Sequence, residues 1–190
     1  METINEMQAP QRGKSTKTLV TQLLIWLVIA VFLGLGAFFF TKNFIEKWPI
    51  TGSSMNATIT TGDNVLVFKT KKVKYDDVII FYSDALRENL VKRVIGKAGD
   101  VIRVEKDDEN HCHIYRNGEL LSEDKIFEPM IVSYGFTPGE TIVPEGKIYF
   151  LGDNRNHSTD SSEGHLCDVD KIVGIAFVRI KSDGSFNFIK

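Results

Sequence analysis

Residues 19–40, LVTQLLIWLVIAVFLGLGAFFF, carry no charge over 22 consecutive positions. At about 1.5 Å per residue a helix of that length crosses the ~30 Å hydrocarbon core of a bilayer, so the run predicts one transmembrane helix over residues 19–41. A cleaved signal peptide has a shorter apolar run and a small-x-small exit. Here the exit is Gly36-Ala37-Phe38-Phe39-Phe40, bulky where small residues are needed, so the helix is expected to stay as an anchor. Arg12, Lys14 and Lys17 precede it with Glu2 and Glu6; Lys42, Glu46 and Lys47 follow. This small basic excess assigns residues 1–18 to a cytoplasmic tail and residues 42–190 to the outside, held at the lipid surface, with Trp48 suited to the interface.

The composition around that helix excludes several classes. The chain is 43% hydrophobic and 25% charged, as expected for one ordinary globular domain plus one extra element and not for a disordered segment. Its 23 Lys+Arg against 25 Asp+Glu leave a formal charge of −2, and the lysines cluster only at 69–74, so no nucleic-acid partner is expected. Cys112 and Cys167 are far apart and lack C-x-x-C spacing, which argues against a disulfide framework or a zinc site. His111, Cys112 and His113 alternate in direction on a strand, and no second cluster completes a tetrahedron. "GKST" at 13–16 has Gln8 where a phosphate-binding loop needs glycine, and no strand precedes it.

Past the helix, short β-branched and aromatic runs follow one another: NVLVFK (64–69), DVIIFY (77–82), NLVKRVI (89–95), DVIRVEK (100–106), HIYRNGEL (113–120), KIYFLG (147–152) and KIVGIAFVRI (171–180). Gly62-Asp63, Gly99-Asp100 and Asn117-Gly118 supply turn chemistry between them. The pattern predicts a mainly β, antiparallel domain. Residues 107–141 are more polar and irregular and read as a small subdomain inserted into the sheet. The half after the anchor has no amphipathic helix of three turns.

Three stretches offer chemistry. ITGSSMNAT (50–58) places Ser53 and Ser54 behind a glycine; either is a candidate nucleophile, and a polar exit loop reads equally well. A base could be histidine, since His157 and His165 share a polar stretch, or lysine. In NLVKRVIG, alternation puts Lys92 on a face with Leu90 and Val94, where partial desolvation lowers a lysine pKa. Arg93 has equally apolar neighbours, but a guanidinium cannot deprotonate. A strand end with both side chains snorkelling to water fits the same spacing. LGDNRNHSTDSSEG (151–164) is a dense polar loop after an apolar strand, a common place for function. Asp153, Asn154 and Asp160 are oxygen donors there, without the spacing of a calcium-binding loop.

Together these stretches resemble the bacterial type I signal peptidases, membrane-anchored serine proteases with a Ser-Lys dyad, in their Gram-positive-like single-anchor form. GSSM resembles the nucleophile box, in which the serine before methionine attacks, which implies Ser54. KYDDVIIF resembles K-x-G-D-V-V-V-F. VKRVIGKAGD resembles K-R-V-I-G-L-P-G-D, whose first lysine is the general base, implying Lys92, with Arg93 beside it. VPEGKIYFLGDNRNHSTDS resembles V-P-x-G-x-Y-F-x-x-G-D-N-R-x-N-S-x-D-S. The resemblance there implies that Ser158 hydrogen-bonds and orients the lysine, and that Asp153 and Asp160 brace the site through ion pairs. KIVGIAFVRI resembles the closing strand.

There are departures. Ala57 stands for the proline of M-x-P-T, and Lys97-Ala98 for Leu-Pro in G-L-P-G-D. Lost prolines are expected to loosen turns at a cost on the order of 1 kcal/mol each. His157 replaces an Asn beside Ser158. Ser162 stands where many members are basic, which leaves the ion pair expected for Asp160 without its usual cation. The resemblance implies removal of signal peptides from exported proteins without a metal or organic cofactor. Its oxyanion donor would be the Ser54 backbone N–H, with the second donor open because Gly52 occupies the position of a serine used by some members. Substrates would be signal peptides of preproteins with Ala-like residues at the first and third positions before the cut, and the other partner membrane lipid. The competing reading is a weakly active or non-catalytic factor that binds peptide segments during surface-protein or pilus assembly.

Overall fold

A computed structural model of the chain describes residues 16–122, 124, 126, 128–131 and 139–189. The expected tail lies largely outside these residues, as does part of the expected insertion. The chain divides into two units, one ending at Asn43 and one beginning at Phe44.

The first unit is described from Thr16 onward and is helical there; its helix, α1 (Thr16–Phe44), has no buried residue. It is long and apolar enough to cross a membrane. Three of its polar side chains bond back to the helix: Thr21 Oγ1 donates to the Lys17 carbonyl, Thr41 Oγ1 to that of Ala37, and Asn43 Nδ2 to that of Phe39. Back-bonding of this kind removes the need for outside partners in an apolar surrounding.

The second unit is antiparallel β, as the strand pattern predicts. Its strands are β1 (Ile45–Pro49), β2 (Asn64–Phe68), β3 (Val78–Ser83), β4 (Glu88–Lys97), β5 (Val101–Lys106), β6 (Cys112–Arg116), β7 (Glu119–Leu120), β8 (Gly139–Ile142), β9 (Lys147–Leu151), β10 (Cys167–Asp168), β11 (Ile172–Ile180) and β12 (Phe186–Phe188). The larger sheet runs β1-β2-β11-β3-β4-β9-β10, with β12 also paired to β11; the smaller runs β7-β6-β5-β8. β5 therefore joins the second sheet, which reaches back to Val101, ahead of the start expected at Asp107. A tight turn links β4 to β5, and by periodicity alone the pair reads as one meander.

Central strand β3 shows why its sequence is a continuous apolar run. Val78 and Ile80 pack with Ile50, Met55, Ile59 and Val67 in one cluster, and Ile79 and Phe81 with Val94, Ile148 and Phe150 in another. A strand covered on both faces cannot alternate with polar residues. A third cluster, including Ile95, Ile102, Ile114, Tyr149 and Leu151, joins the two sheets. Cys112 and Cys167 are both buried and lie in different clusters.

The two alanines at expected proline positions differ. At Lys97–Asp100 the Asp100 N–H donates to the Lys97 carbonyl at 2.9 Å and Gly99 has φ +86°, a type II turn whose second position, Ala98, suits proline. Ala57 has φ +80°, where proline, fixed near −65°, cannot fit. At Ala57 the missing proline therefore does not loosen a turn; the chain follows a different backbone path, at a strain of about 1–2 kcal/mol for an L residue. Ala98→Pro is expected to stabilise the protein by about 0.4–1 kcal/mol and Ala57→Pro to destabilise it by more than that. Chemical denaturation of the detergent-solubilised chain measures both.

Candidate active site

The loop between β1 and β2 carries both candidate serines and is fastened at several points. Its base closes through Ile50 N–H to the Asp63 carbonyl and Gly62 N–H to the Ile50 carbonyl, at 2.9 and 3.1 Å. Met55 and Ile59 plug it into the core. Asn154 holds the two residues in question: its N–H donates to the Ser54 carbonyl at 3.0 Å, and its Nδ2 to the Ser53 carbonyl at 3.1 Å. Ser53 is exposed and Ser54 half-buried. Among the described residues the Ser54 N–H has no acceptor, which leaves it able to donate to a bound oxygen.

Lys92 lies on β4 and is only 3% exposed. Its Nζ makes no hydrogen bond or ion pair among the described residues. Burial pushes its pKa down from 10.5 to about 8, against the opposing pull of Asp160, Glu88, Asp153 and Glu163, in that order. An amine so placed is neutral over much of the range above neutrality and can take a proton. Burial thus replaces the snorkelling reading of this strand.

One cavity of about 700 Å³ has both Ser54 and Lys92 in its wall, together with Gly52, Ser53, His157 and Thr159. Apolar side chains, Ile50, Met55, Ile80 and Val91 among them, form much of the remainder. His157 is the histidine that reaches this cavity. Its side chain is mostly exposed, and its Nδ1 lies 3.9 Å from Glu128 Oε1.

The neighbouring Arg93 is buried for a different purpose. Its Nε and Nη2 grip Asp153 Oδ1 and Oδ2 at 2.8 and 2.6 Å, and its Nη1 donates to the Asp76 carbonyl at 2.7 Å. Thr58 Oγ1 donates to the same Asp153 carboxylate. The serine loop, the lysine's strand and the loop after β9 are thereby clamped at one fully buried carboxylate. Asp153 thus forms an ion pair with Arg93.

Asp160 behaves otherwise. It accepts from Gly152 N–H at 3.0 Å and from Ser162 N–H and Oγ at 3.1 and 2.7 Å, and no cation lies within ion-pair distance among the described residues. Ser162 takes up the carboxylate as a hydrogen-bond donor where a cation was expected. The carboxylates of Asp153 and Asp160 are thus both engaged by donors of the protein itself.

Ser158 departs from expectation. Its Oγ is buried without a hydrogen-bond partner, so the bond to Lys92 that the resemblance implies is not formed in this structure. Gly152 explains the close packing here: a Cβ on it would collide with Ser158 Oγ and with the Ser54 carbonyl oxygen. Only glycine lets the two serines' segments approach this strand end.

Three fastenings escape sequence reading. Thr58 and Asn154 act on the serine loop as described. Arg179 on β11 donates to Asp63 Oδ2 at 2.6 Å, to the Thr58 carbonyl at 3.0 Å and to Thr60 Oγ1 at 2.8 Å. The pair Asp63–Arg179 spans 116 positions; an arginine in an otherwise apolar strand was its only trace.

Comparisons with known proteins identify the family. The family model described as "Signal peptidase, peptidase S26" matches residues 20–181. Signal peptidase I T of Bacillus subtilis (strain 168) is 34% identical, with 85% of this chain and 86% of that protein covered. Signal peptidase I of Bacillus licheniformis is 35% identical, over 78% and 81%. A crystal structure of a signal peptidase I from Enterococcus faecalis V583 is 27% identical, covering 55% of this chain and 96% of that one at a TM-score of 0.45. With a family match that runs from the apolar helix to the end of β11, and relatives covered over most of their length, this chain belongs to the signal peptidases of family S26.

Proposed function

We propose that the chain is a membrane-bound serine endopeptidase that removes signal peptides from exported preproteins, with Ser54 as nucleophile and Lys92 as general base. The observation that carries this reading is the shared cavity, lined by both a half-buried serine and a buried lysine of depressed pKa. Neutral Lys92 takes the Ser54 hydroxyl proton as Oγ attacks the scissile carbonyl. The Ser54 N–H donates to the oxyanion, and the second donor is a backbone group or water. Lys92 then gives its proton to the leaving amine. Water, deprotonated by the same lysine, releases the acyl group from Ser54. Arg93, Asp153 and Asp160 hold the surrounding loops.

The substrate's path has support in the sheet. β9 stops at Leu151, paired with Arg93, so residues 88–92 of β4 have β3 on one side and, among the described residues, no strand on the other. An extended peptide can add there as a strand, its main chain paired and alternate side chains entering the apolar cavity. Helix α1 serves as the anchor, with the N-terminus cytoplasmic and the β unit outside. Enzyme and lipid-embedded substrate then share a two-dimensional phase, which raises effective concentration as a tether does.

Ser54→Ala and Lys92→Ala are each expected to lower cleavage of a preprotein in lipid by about a thousandfold or more, with circular dichroism unchanged, while Ser53→Ala retains turnover. Normal turnover in Ser54→Ala would reject the assignment.

A further inference from the structure

Glu88 is a carboxylate in the cavity wall to which neither the fold nor the proposed chemistry gives a task. It is exposed at the start of β4, and it makes no hydrogen bond or ion pair among the described residues. Besides Lys92 and His157, it is the ionisable residue of the cavity lining. When Lys92 is neutral, as the reaction requires, Glu88 carries the wall's one permanent charge. Nothing in the wall balances it.

Its position along the strand gives that charge a register. Glu88, Leu90 and Lys92 alternate onto one face of β4, and four residues at about 3.3 Å each separate Glu88 from Lys92 by roughly 13 Å. The side of this stretch away from β3 is the unpaired edge. A peptide added there pairs residue for residue, so the peptide position opposite Glu88 lies four residues from the one opposite Lys92. Lys92 has to stand beside the bond being cut.

We infer that Glu88 is a specificity residue that reads the charge of the bound peptide about four residues from the scissile bond, favouring Lys or Arg there and disfavouring Asp or Glu. The inference rests on the proposed dyad and on peptide addition at this edge. Opposite charges across a strand pair attract and like charges repel, with modest strength at a solvent-exposed rim. The readout is therefore a severalfold preference that weakens with salt.

The test uses the full-length enzyme in detergent and fluorogenic peptides with Ala at the first and third positions before the cut. Lys, Gln or Glu is placed in turn at each position three to five residues from the cut, on either side. The ratio of kcat/KM for Lys-bearing to Glu-bearing peptide is taken within each enzyme, so any effect of Glu88 on Lys92 cancels. Wild type is expected to give a ratio of about three to ten at one position and near one elsewhere. Glu88→Gln brings that ratio toward one, and Glu88→Lys inverts it at the same position. A ratio unmoved by Glu88→Lys, or equal at all positions, would overturn the inference while leaving the dyad intact. Failure of the wild-type enzyme to cut the Gln-bearing peptides would overturn the dyad reading and this inference with it.

Discussion

Lys92→Met is expected to make the protein more stable at neutral pH while abolishing cleavage. Burying Lys92 lowers its pKa from 10.5 to about 8, and that displacement corresponds to on the order of 3 kcal/mol. The folded-state pKa of this base lies below its unfolded value. Between about pH 8 and 10.5 the unfolded chain therefore binds more protons, and stability rises with pH across that window. Below about pH 8 both states carry the proton, and the whole cost of holding an ammonium in the core is present. Methionine has similar volume and no charge, so it removes the cost, and with it the pH slope above 8. Denaturant midpoints at pH 7 and at pH 10 measure both effects. A variant less stable at pH 7, with the slope intact, would show that Lys92 is not the buried base described here. The activity counterpart in the wild type is a kcat/KM that climbs with pH and levels off above an inflection near 8, as proton-free Lys92 accumulates.

Asp153→Ala is expected to cost about 3–5 kcal/mol. Arg93 and Asp153 are 3% and 1% exposed at their side chains, so removing the carboxylate takes away the counter-charge that Nε and Nη2 of a buried guanidinium are bonded to. Thr58 loses its acceptor as well. Against a total stability of about 5–15 kcal/mol for a domain, this loss brings the fold near its limit. Cleavage should fall along with stability, because Asp153 ties the serine loop to the lysine's strand. Paired replacement of Arg93 and Asp153 by apolar residues of similar size should recover much of the stability but not the activity. Denaturant titration and turnover of one preprotein in lipid separate the two effects. An Asp153→Ala variant as stable as the wild type would mean that the clamp contributes nothing.

Much of this architecture is written in local pattern. An uncharged run of 22 residues can satisfy its backbone in lipid only as a helix, and α1 extends it by a few residues at each end. The apolar runs at 64–69, 77–82, 89–95 and 171–180 became β2, β3, β4 and β11 because β-branched residues favour a pleated surface covered by other strands. Strands β1, β8, β10 and β12 were not legible. They are short or lie at sheet edges, with Lys47, Pro49, Glu140 and Asn187 among their residues, and an edge strand does not need a buried face.

The proposal of Ser54 as nucleophile, with Lys92 as its base, came from resemblance to a family pattern and not from spacing, since a polar loop and a snorkelling strand end fitted the same residues. What only the tertiary structure decided is the environment that makes those residues chemically meaningful. Lys92 has a depressed pKa because the fold buries it, which alternation alone does not fix. Asp153 is a clamp because Arg93 and Thr58 arrive from elements 60 and 95 positions away. Ser162 meets Asp160 as a hydrogen-bond donor in place of the expected cation, and Ala57 sits at a φ that proline cannot take. The open edge at 88–92 exists because β9 ends opposite Arg93, a matter of register between two strands. Local sequence sets which conformations a segment favours through sterics and periodic burial. The meeting of groups distant along the chain depends on how whole strands pair, and that pairing gives the site its charge balance, its cavity and its free edge.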